Sequence, residues 1–389
     1  MIEIRVPTPD DYPAMCRQIH ESFGESEPEQ LEREQVLIDF DRFRIAYDTT
    51  ARRLVGVSGT WEMEITLPGN ALAPMAGTTW VAVAPTHRRQ GILTRMMAAL
   101  HADIATRGEP LAGLGASEGP IYGRFGYAVA ALRRSIVIDR RMVSFDARYA
   151  APRRSVTLVA GDDPGLIEMI GPRWDRYRRT RVGELARTDD RHRVLAAGRG
   201  KQAFYAIHDD GFACWKVTPD WSEAPPKHEL RILDLAASTV AARDALWSTI
   251  LSIDLVGPIV SGLGPIDDPL AYLVSNPRAV STRGITDMLW LHVLDVPAVF
   301  GRRTYGVDDD MVIDVGGTRW SFGASGCSRS RRRADIVIEP NLLGALVLGG
   351  VSPQVLHAGH RLEARSTEAL QRANVLFVAF PDPNCQTSV

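Results

Sequence analysis

Thr79–Met97 reads TWVAVAPTHRRQGILTRMM. Val81-Ala82-Val83 has the character of the end of a buried strand, and Pro85 closes it. Thr86 to Gln90 make a short basic loop. From Gly91 onward the apolar residues Leu93, Met97, Leu100 and Ile104 recur at steps of four, three and four, the spacing of one helix face. Gly108 supplies the stop. The loop therefore delivers Arg88, Arg89, Gln90 and Gly91 to a helix N-terminus. Four backbone N–H groups lack partners there, and the helix dipole is positive. Such a place suits a pyrophosphate. The stretch contains neither G-x-x-x-x-G-K-[ST] nor G-x-G-x-x-G, so it is neither a P-loop nor a dinucleotide fingerprint.

Upstream, Ile2, Ile4 and Val6 alternate with polar residues as a strand. Thr8-Pro9-Asp10-Asp11 then starts a helix, with a cap, a proline at the first turn and two acids on the dipole. Met15, Ile19 and Phe23 give that helix an apolar face. Glu25 to Asp41 is strongly acidic, and has two readings: a solvated helix face, or a few carboxylates lining a pocket for a cationic substrate. Phe40 to Tyr47, Leu54 to Trp61, Met63 to Leu67 and Thr78 to Val83 read as successive strands. Downstream, Leu111 to Ala116 is a short strand, Ser117–Ala130 (SEGPIYGRFGYAVA) is rich in glycine turns and aromatics, and Leu132 to Ile138 is a further strand.

The pairing of V-x-V-x-P with R-R-x-G-[IL] resembles motif A of the GNAT superfamily of N-acetyltransferases, whose loop wraps the pyrophosphate of acetyl-CoA. The fuller pattern, WVAVAPTHRRQGILTRMM followed by ASEGPIYGRFGYA, is similar to the Eis family of actinobacterial N-acetyltransferases over roughly residues 75 to 135. That resemblance implies an α/β (α+β) chain of three parts. Residues 1–145 would be the catalytic GNAT domain and 146–287 a second, degenerate GNAT-like domain, giving two tandem mixed sheets flanked by helices. Residues 288–389 would be a sterol-carrier-protein-like domain. It also implies a homohexamer, with acetylation of amines of aminoglycosides, polyamines or lysines.

The later sequence fits that division. Val156 to Ala160, Phe204 to His208, Phe212 to Val217 and Leu230 to Leu235 read as strands, with Asp209-Asp210-Gly211 as a hairpin turn. Pro164 to Tyr177 and Thr239 to Ile253 read as helices. No second R-R-x-G-[IL] loop follows a strand, so the middle part is expected to bind no cofactor and to serve as scaffold and pocket wall. Beyond Met288, Val296 to Phe300 begins a helix and Met311 to Phe322 forms a hairpin around Gly316-Gly317. Asn341 to Leu348 and Thr367 to Asn374 read as helices, and Leu376 to Phe380 as a strand.

Acyl transfer from a thioester to an amine needs a neutral amine, a stabilised carbonyl oxygen, a protonated leaving thiol and aligned reactants. Val81, Ala82 and Val83 can offer backbone N–H groups to the acetyl oxygen and the pantetheine arm. Arg88, Arg89, Gln90, Gly91, Ile92, Leu93 and Thr94 form the pyrophosphate nest. By the resemblance, Ser117 and Glu118 contact the cofactor and Tyr122, the tyrosine of I-Y-G-R-F-G-Y, is the general acid. Read alone, Tyr122 is equally a core tyrosine with its hydroxyl bonded to backbone. The family's base is the chain's own terminal carboxylate, here that of Val389. Family members usually end in an aromatic residue; this chain ends Thr387-Ser388-Val389, and without the resemblance that end reads as a frayed tail. Phe23, Glu25 and Trp80 are the acceptor contacts, with plain surface exposure the other reading of Glu25.

Composition excludes other classes. A net charge of -2 over 389 residues gives no footprint for nucleic acid, and the basic run Arg329 to Arg333, without interleaved aromatics, reads as a solvated loop. Cys16, Cys214, Cys327 and Cys385 are scattered, as free thiols of a reducing cytosol and not a metal site. Neither a membrane span nor a signal peptide is expected, which points to the cytoplasm. The rival activities are protein-lysine acetylation and a non-catalytic acyl-CoA- or lipid-binding regulatory role.

Overall fold

A computed structural model describes the chain except for residues 25–27, 147, 149–154 and 223, and describes only the backbone of residues 28 and 30. The N-terminal unit runs β1 (Ile2–Arg5), α1 (Tyr12–Phe23), α2 (Pro28–Glu34), β2 (Phe43–Asp48), β3 (Arg53–Thr66), β4 (Leu72–Val83), α3 (Ile92–Thr106), β5 (Leu111–Leu114), α4 (Gly119–Tyr122) and β6 (Ala128–Asp139). The expected strands at Leu54 to Trp61 and Met63 to Leu67 are one strand, β3. Nothing between them turns: Glu62 pairs with Ala76, and the ladder runs unbroken from Trp61 to Met63. The chain reverses only past Pro68, where Gly69 and Asn70 adopt φ of 84° and 61°. The α3 face that packs on the sheet carries Met96, Met97, Leu100 and Ile104, all buried. Each such side chain contributes about 1.5–3 kcal/mol on leaving water.

The middle unit comprises β7 (Thr157–Ala160), α5 (Leu166–Arg178), α6 (Asp189–Arg199), β8 (Phe204–His208), β9 (Gly211–Thr218), β10 (His228–Ala237), α7 (Val240–Ile250), β11 (Val256–Gly264), α8 (Leu270–Leu273) and β12 (Val280–Val293). Its strands do not form a separate sheet. A single sheet of twelve strands runs β1-β2-β3-β4-β5-β12-β6-β11-β10-β9-β8-β7. The long β12 joins the two halves. Its end, Trp290 to Val293, pairs with β5, while Val280 to Leu291 pairs with β6. The expected boundary at 287/288 therefore falls inside a continuous strand.

The C-terminal unit holds α9 (Val296–Phe300), β13 (Asp310–Val315), β14 (Thr318–Gly323), β15 (Gly326–Arg329), β16 (Ile336–Ile338), α10 (Leu343–Leu346), α11 (Pro353–Ala358), β17 (Leu362–Ala364) and α12 (Thr367–Phe377). Its five strands are ordered β15-β14-β13-β16-β17. The strand expected at Leu376 to Phe380 does not form. Ala369, Ala373, Leu376 and Phe377 are the buried residues of α12, at steps of four, three and one, so the apolar run belongs to a helix face. Phe300, Phe322 and Phe377 fill the core of the unit, with the first two rings edge to face at 4.9 Å. Arg303, also buried, donates to the carbonyls of Leu346, Val347 and Phe377, closing helix ends that would otherwise be unpartnered.

The first and last units share one continuous apolar core, from Met15 and Trp61 through Met75 and Leu291 to Phe300 and Phe377. At this junction Gly344 of α10 lies directly on β12: a Cβ built there would be 2.0 Å from the Leu291 carbonyl oxygen. Backbone meets backbone, so neither side can yield cheaply. Gly344→Ala is expected to destabilise the chain by roughly 1–3 kcal/mol, read as a lowered Tm; an unchanged Tm would mean that α10 does not dock tightly on β12.

Candidate active site

The site begins with a defect in the ladder between β3 and β4. Val57 faces Ala82 and Gly59 faces Thr79, so Trp80 and Val81 together oppose the single residue Ser58. This is a β-bulge. Trp80 carries the extra turn, at φ 52°, a region few non-glycine residues adopt. Its ring is held against that strain: it stacks on Tyr12 at 6.0 Å and meets Phe43 edge to face at 5.9 Å. The Trp80 side chain thus lies in the core, 9% exposed, and what it gives the cleft is its backbone turn. The Ser58 hydroxyl opposite is buried with no hydrogen-bond partner among the described residues.

Two residues earlier β4 parts from β5. Their parallel pairing runs from Met75–Leu111 to Gly77–Gly113 and stops. The fork so opened leads to the N-terminus of α3, where Arg89 and the cap residue Gly91 both adopt left-handed backbone, φ 62° and 74°. Glycine suits that position because it has no Cβ to clash. Together these place the first N–H groups of α3 towards the fork, a built cradle for an anion.

A cavity of about 450 Å³ fills the fork. Of the residues singled out in the sequence it is lined by Phe23, Val81, Ala82, Val83, Arg88, Arg89, Gly91, Ile92, Leu93, Thr94, Ser117, Glu118 and Tyr122. Ile92 is 1% exposed and packs with Ala84 and Met96, so it faces the core. Gln90 is exposed and outside the lining, and Glu25 lies outside the described residues. Four lining residues escaped the sequence reading: Ser22, His87, Ile121 and Arg124. Arg124 was legible, as the cation of G-R-F in the same motif as Tyr122. It adds a third guanidinium to a cleft that already holds Arg88 and Arg89.

Tyr122 closes α4 and is 6% exposed. Burial raises its pKa above the ordinary phenol range and Glu118 adds to the rise, while a hydrogen bond with the Ser117 side chain pulls the other way. Its ring meets Tyr127 edge to face at 6.1 Å. Behind it lies a polar cluster that sequence reading missed. The Tyr127 hydroxyl is 2.9 Å from Thr78 Oγ1 and 3.1 Å from His101 Nε2. His292 meets both Tyr127 and His101 edge to face, at 5.3 and 4.7 Å. Burial pushes His101 and His292 down to about 4, so both are neutral at pH 7 and add no charge behind Tyr122.

The chain's end reaches β4 from the other face. The Val389 side chain covers Gly77: a Cβ built on that glycine would be 2.8 Å from Val389 Cγ1 and 2.5 Å from Met63 Sδ. A second cavity of about 240 Å³ opens here, bounded by Glu34, Trp61, Thr79, Arg191, Ser388 and Val389. The tail is tied down along its length. Asn384, Cys385 and Thr387 are buried, Arg187 donates to the Thr387 hydroxyl at 2.9 Å, and Arg191 donates to the Ser388 carbonyl. Burial, with Arg187 nearby, lowers the Arg191 pKa to about 10, so it is still a cation at neutral pH; its guanidinium lies 5.6 Å from the Trp61 ring centre.

These features match known proteins over the whole chain. Residues 3–130 and 174–293 each match a family model for an acetyltransferase (GNAT) domain, and 296–386 match one for a sterol carrier protein domain. The chain is 33% identical to N-acetyltransferase Eis of Mycobacterium tuberculosis over 96% of both proteins. It is equally 33% identical, again over 96% of both, to an uncharacterized N-acetyltransferase of Streptomyces avermitilis. The crystal structure of Eis1 from Mycobacterium abscessus superposes with a TM-score of 0.89 at 28% identity, covering all of both chains. With two GNAT domains, a sterol-carrier-like third and a forked, bulged cleft ending at α3, the chain belongs to the Eis family of GNAT N-acetyltransferases.

Proposed function

We propose that this enzyme transfers acetyl from acetyl-CoA to a primary amine of a cationic small molecule, aminoglycoside- or polyamine-like, by direct attack in a ternary complex. One observation carries the reading. Two cavities approach the same three-residue stretch of β4 from opposite faces: one reaches Val81 and Tyr122, the other Thr79 and Val389. A thioester held in the first cavity and an amine in the second could meet in line across the bulge.

The residues of the first cavity fit coenzyme A. The α3 amides and Arg88, Arg89 and Arg124 suit its diphosphate, and the backbone edge of Val81 to Val83 turned away from β3, where β5 no longer pairs, suits its amide-bearing arm. In this reading the amine nitrogen bonds to the carbonyl carbon as the carbon–sulfur bond breaks. The Val389 carboxylate takes a proton from the nitrogen, and the Tyr122 hydroxyl gives one to the departing sulfur. Glu34 in the second cavity favours a cationic acceptor by charge, against the Arg191 cation that already lies over the Trp61 ring. A homohexamer in the cytoplasm belongs to the same reading.

Incubation with acetyl-CoA and a panel of amines, followed as free-thiol release, is the test. Release is expected with aminoglycosides or polyamines. Release only with folded proteins moves the acceptor to protein lysine. Saturable CoA uptake with no release for any amine moves the chain to a regulatory role.

A further inference from the structure

The middle domain repeats the layout of the first. Its parallel pair, β10 and β11, runs in register to Ile232–Ser261 and then parts. β10 carries a register shift between Ile232 and Asp234, and α7 follows it, as the bulged β4 is followed by α3. In the first domain the fork is open. In the second, part of it is filled by the chain's own tail.

Gln386 enters that fork. The Leu235 N–H donates to Gln386 Oε1 at 3.1 Å, and Gln386 Nε2 donates to the Leu235 carbonyl at 2.9 Å. Its side-chain amide thereby pairs with a strand edge as another peptide group would. Nε2 also reaches the Tyr177 hydroxyl at 3.1 Å. Beside it sits Glu184, 0% exposed, a carboxylate that no part of the transfer chemistry uses. Glu184 accepts from the Gln386 backbone N–H at 3.1 Å, from Asn384 Nδ2 at 3.2 Å and from the Tyr177 hydroxyl at 3.3 Å. Gln386 Nε2 adds a fourth donor at 3.5 Å, so three of the four that this buried carboxylate needs come from the tail. Asn384 is tied further, its N–H to the Val182 carbonyl at 2.9 Å.

We propose that Glu184 and Gln386 are positioning residues: the second domain grips the tail in the fork that corresponds to the first domain's cofactor fork, and so sets the terminal carboxylate three residues further on. The degenerate domain has exchanged a ligand for a segment of its own chain. This rests on the reading of Val389 as the base. It explains a feature that reading alone does not: how a chain terminus, ordinarily its most mobile point, can hold a base in place.

The test compares kcat and CoA affinity in Glu184→Gln and Gln386→Ala, each made in the full chain and in a chain lacking Val389. In the full chain each substitution is expected to lower kcat at least about tenfold while the Kd for CoA stays within about twofold. In the shortened chain neither is expected to lower the residual rate further, since the group they position is gone. Gln386→Ala leaves the buried carboxylate in place, so it decides the matter if Glu184→Gln folds poorly. Full kcat in Gln386→Ala, beside a crippled shortened chain, overturns the positioning role alone. Equal losses in the full and shortened chains also overturn it, by making the effect structural. A shortened chain with wild-type turnover removes the base itself, and the proposal with it.

Discussion

Tyr122→Phe is expected to lower kcat by about 10²–10⁴-fold, the usual worth of a general acid, and to change the Kd for CoA by less than about twofold. The substitution removes one oxygen. The ring keeps its place at the end of α4 and its edge contact with Tyr127, so the wall of the cavity is preserved. The bond lost is the one to the Ser117 side chain, worth about 0.5–1.5 kcal/mol of stability, which should leave the protein folded. Burial raises the Tyr122 pKa, so the phenol stays protonated throughout the neutral range. A departing thiolate, whose conjugate acid in water has a pKa of about 8.5 by analogy with cysteine, would leave into the same desolvated place. Its basicity would rise with that of the phenol. The proton transfer therefore does not become hopelessly uphill merely because Tyr122 is buried. Stopped-flow thiol release and calorimetric CoA binding separate the two effects. An unchanged kcat would take the proton from Tyr122 and leave it a wall residue.

What the sequence made legible was local. The strand, basic loop and helix from Thr79 to Met97 lie within one window, and the elements there follow from neighbouring residues. The same holds for Ser117 to Tyr122. What it hid was distant or degenerate. β12 completes the first domain's sheet from about 150 residues beyond β6, and nothing in Val280 to Val293 names its partners. Glu184 meets Gln386 across 202 residues of chain. Trp80 read as an acceptor contact because it precedes the strand end; the bulge turns its side chain into the core instead. Leu376 to Phe380 read as a strand because a short apolar run has no period of its own, and the preceding turns of α12 settled its conformation.

Deleting Val389 is expected to lower kcat by about 10²-fold or more with CoA binding unchanged, because the carboxylate would then belong to Ser388, one residue short. The side chain matters less than the group it carries. Val389→Ala keeps a terminal carboxylate and loses only the contact over Gly77, so a fall of about tenfold or less is expected. A residue added beyond Val389 keeps both the contact and a carboxylate, but turns the reacting group into an amide and moves the charge onward. It should be as damaging as the deletion. An α-carboxyl has a pKa of about 3.5 in water and is a weak base there, so its worth to the reaction rests on its placement beside Trp61, Thr79 and Leu37. The valine also fits its place. With Met63 on one side, the bare Cα of Gly77 leaves room for a branched side chain of modest size. Gly77→Ala, which would fill that room while leaving the tail's sequence intact, should therefore resemble the deletion more than Val389→Ala does. The ordering of these four variants is the measurement. If the chain with an added residue turns over as fast as the natural one, the terminal carboxylate is not the base, and the proton must leave through water or through Glu34.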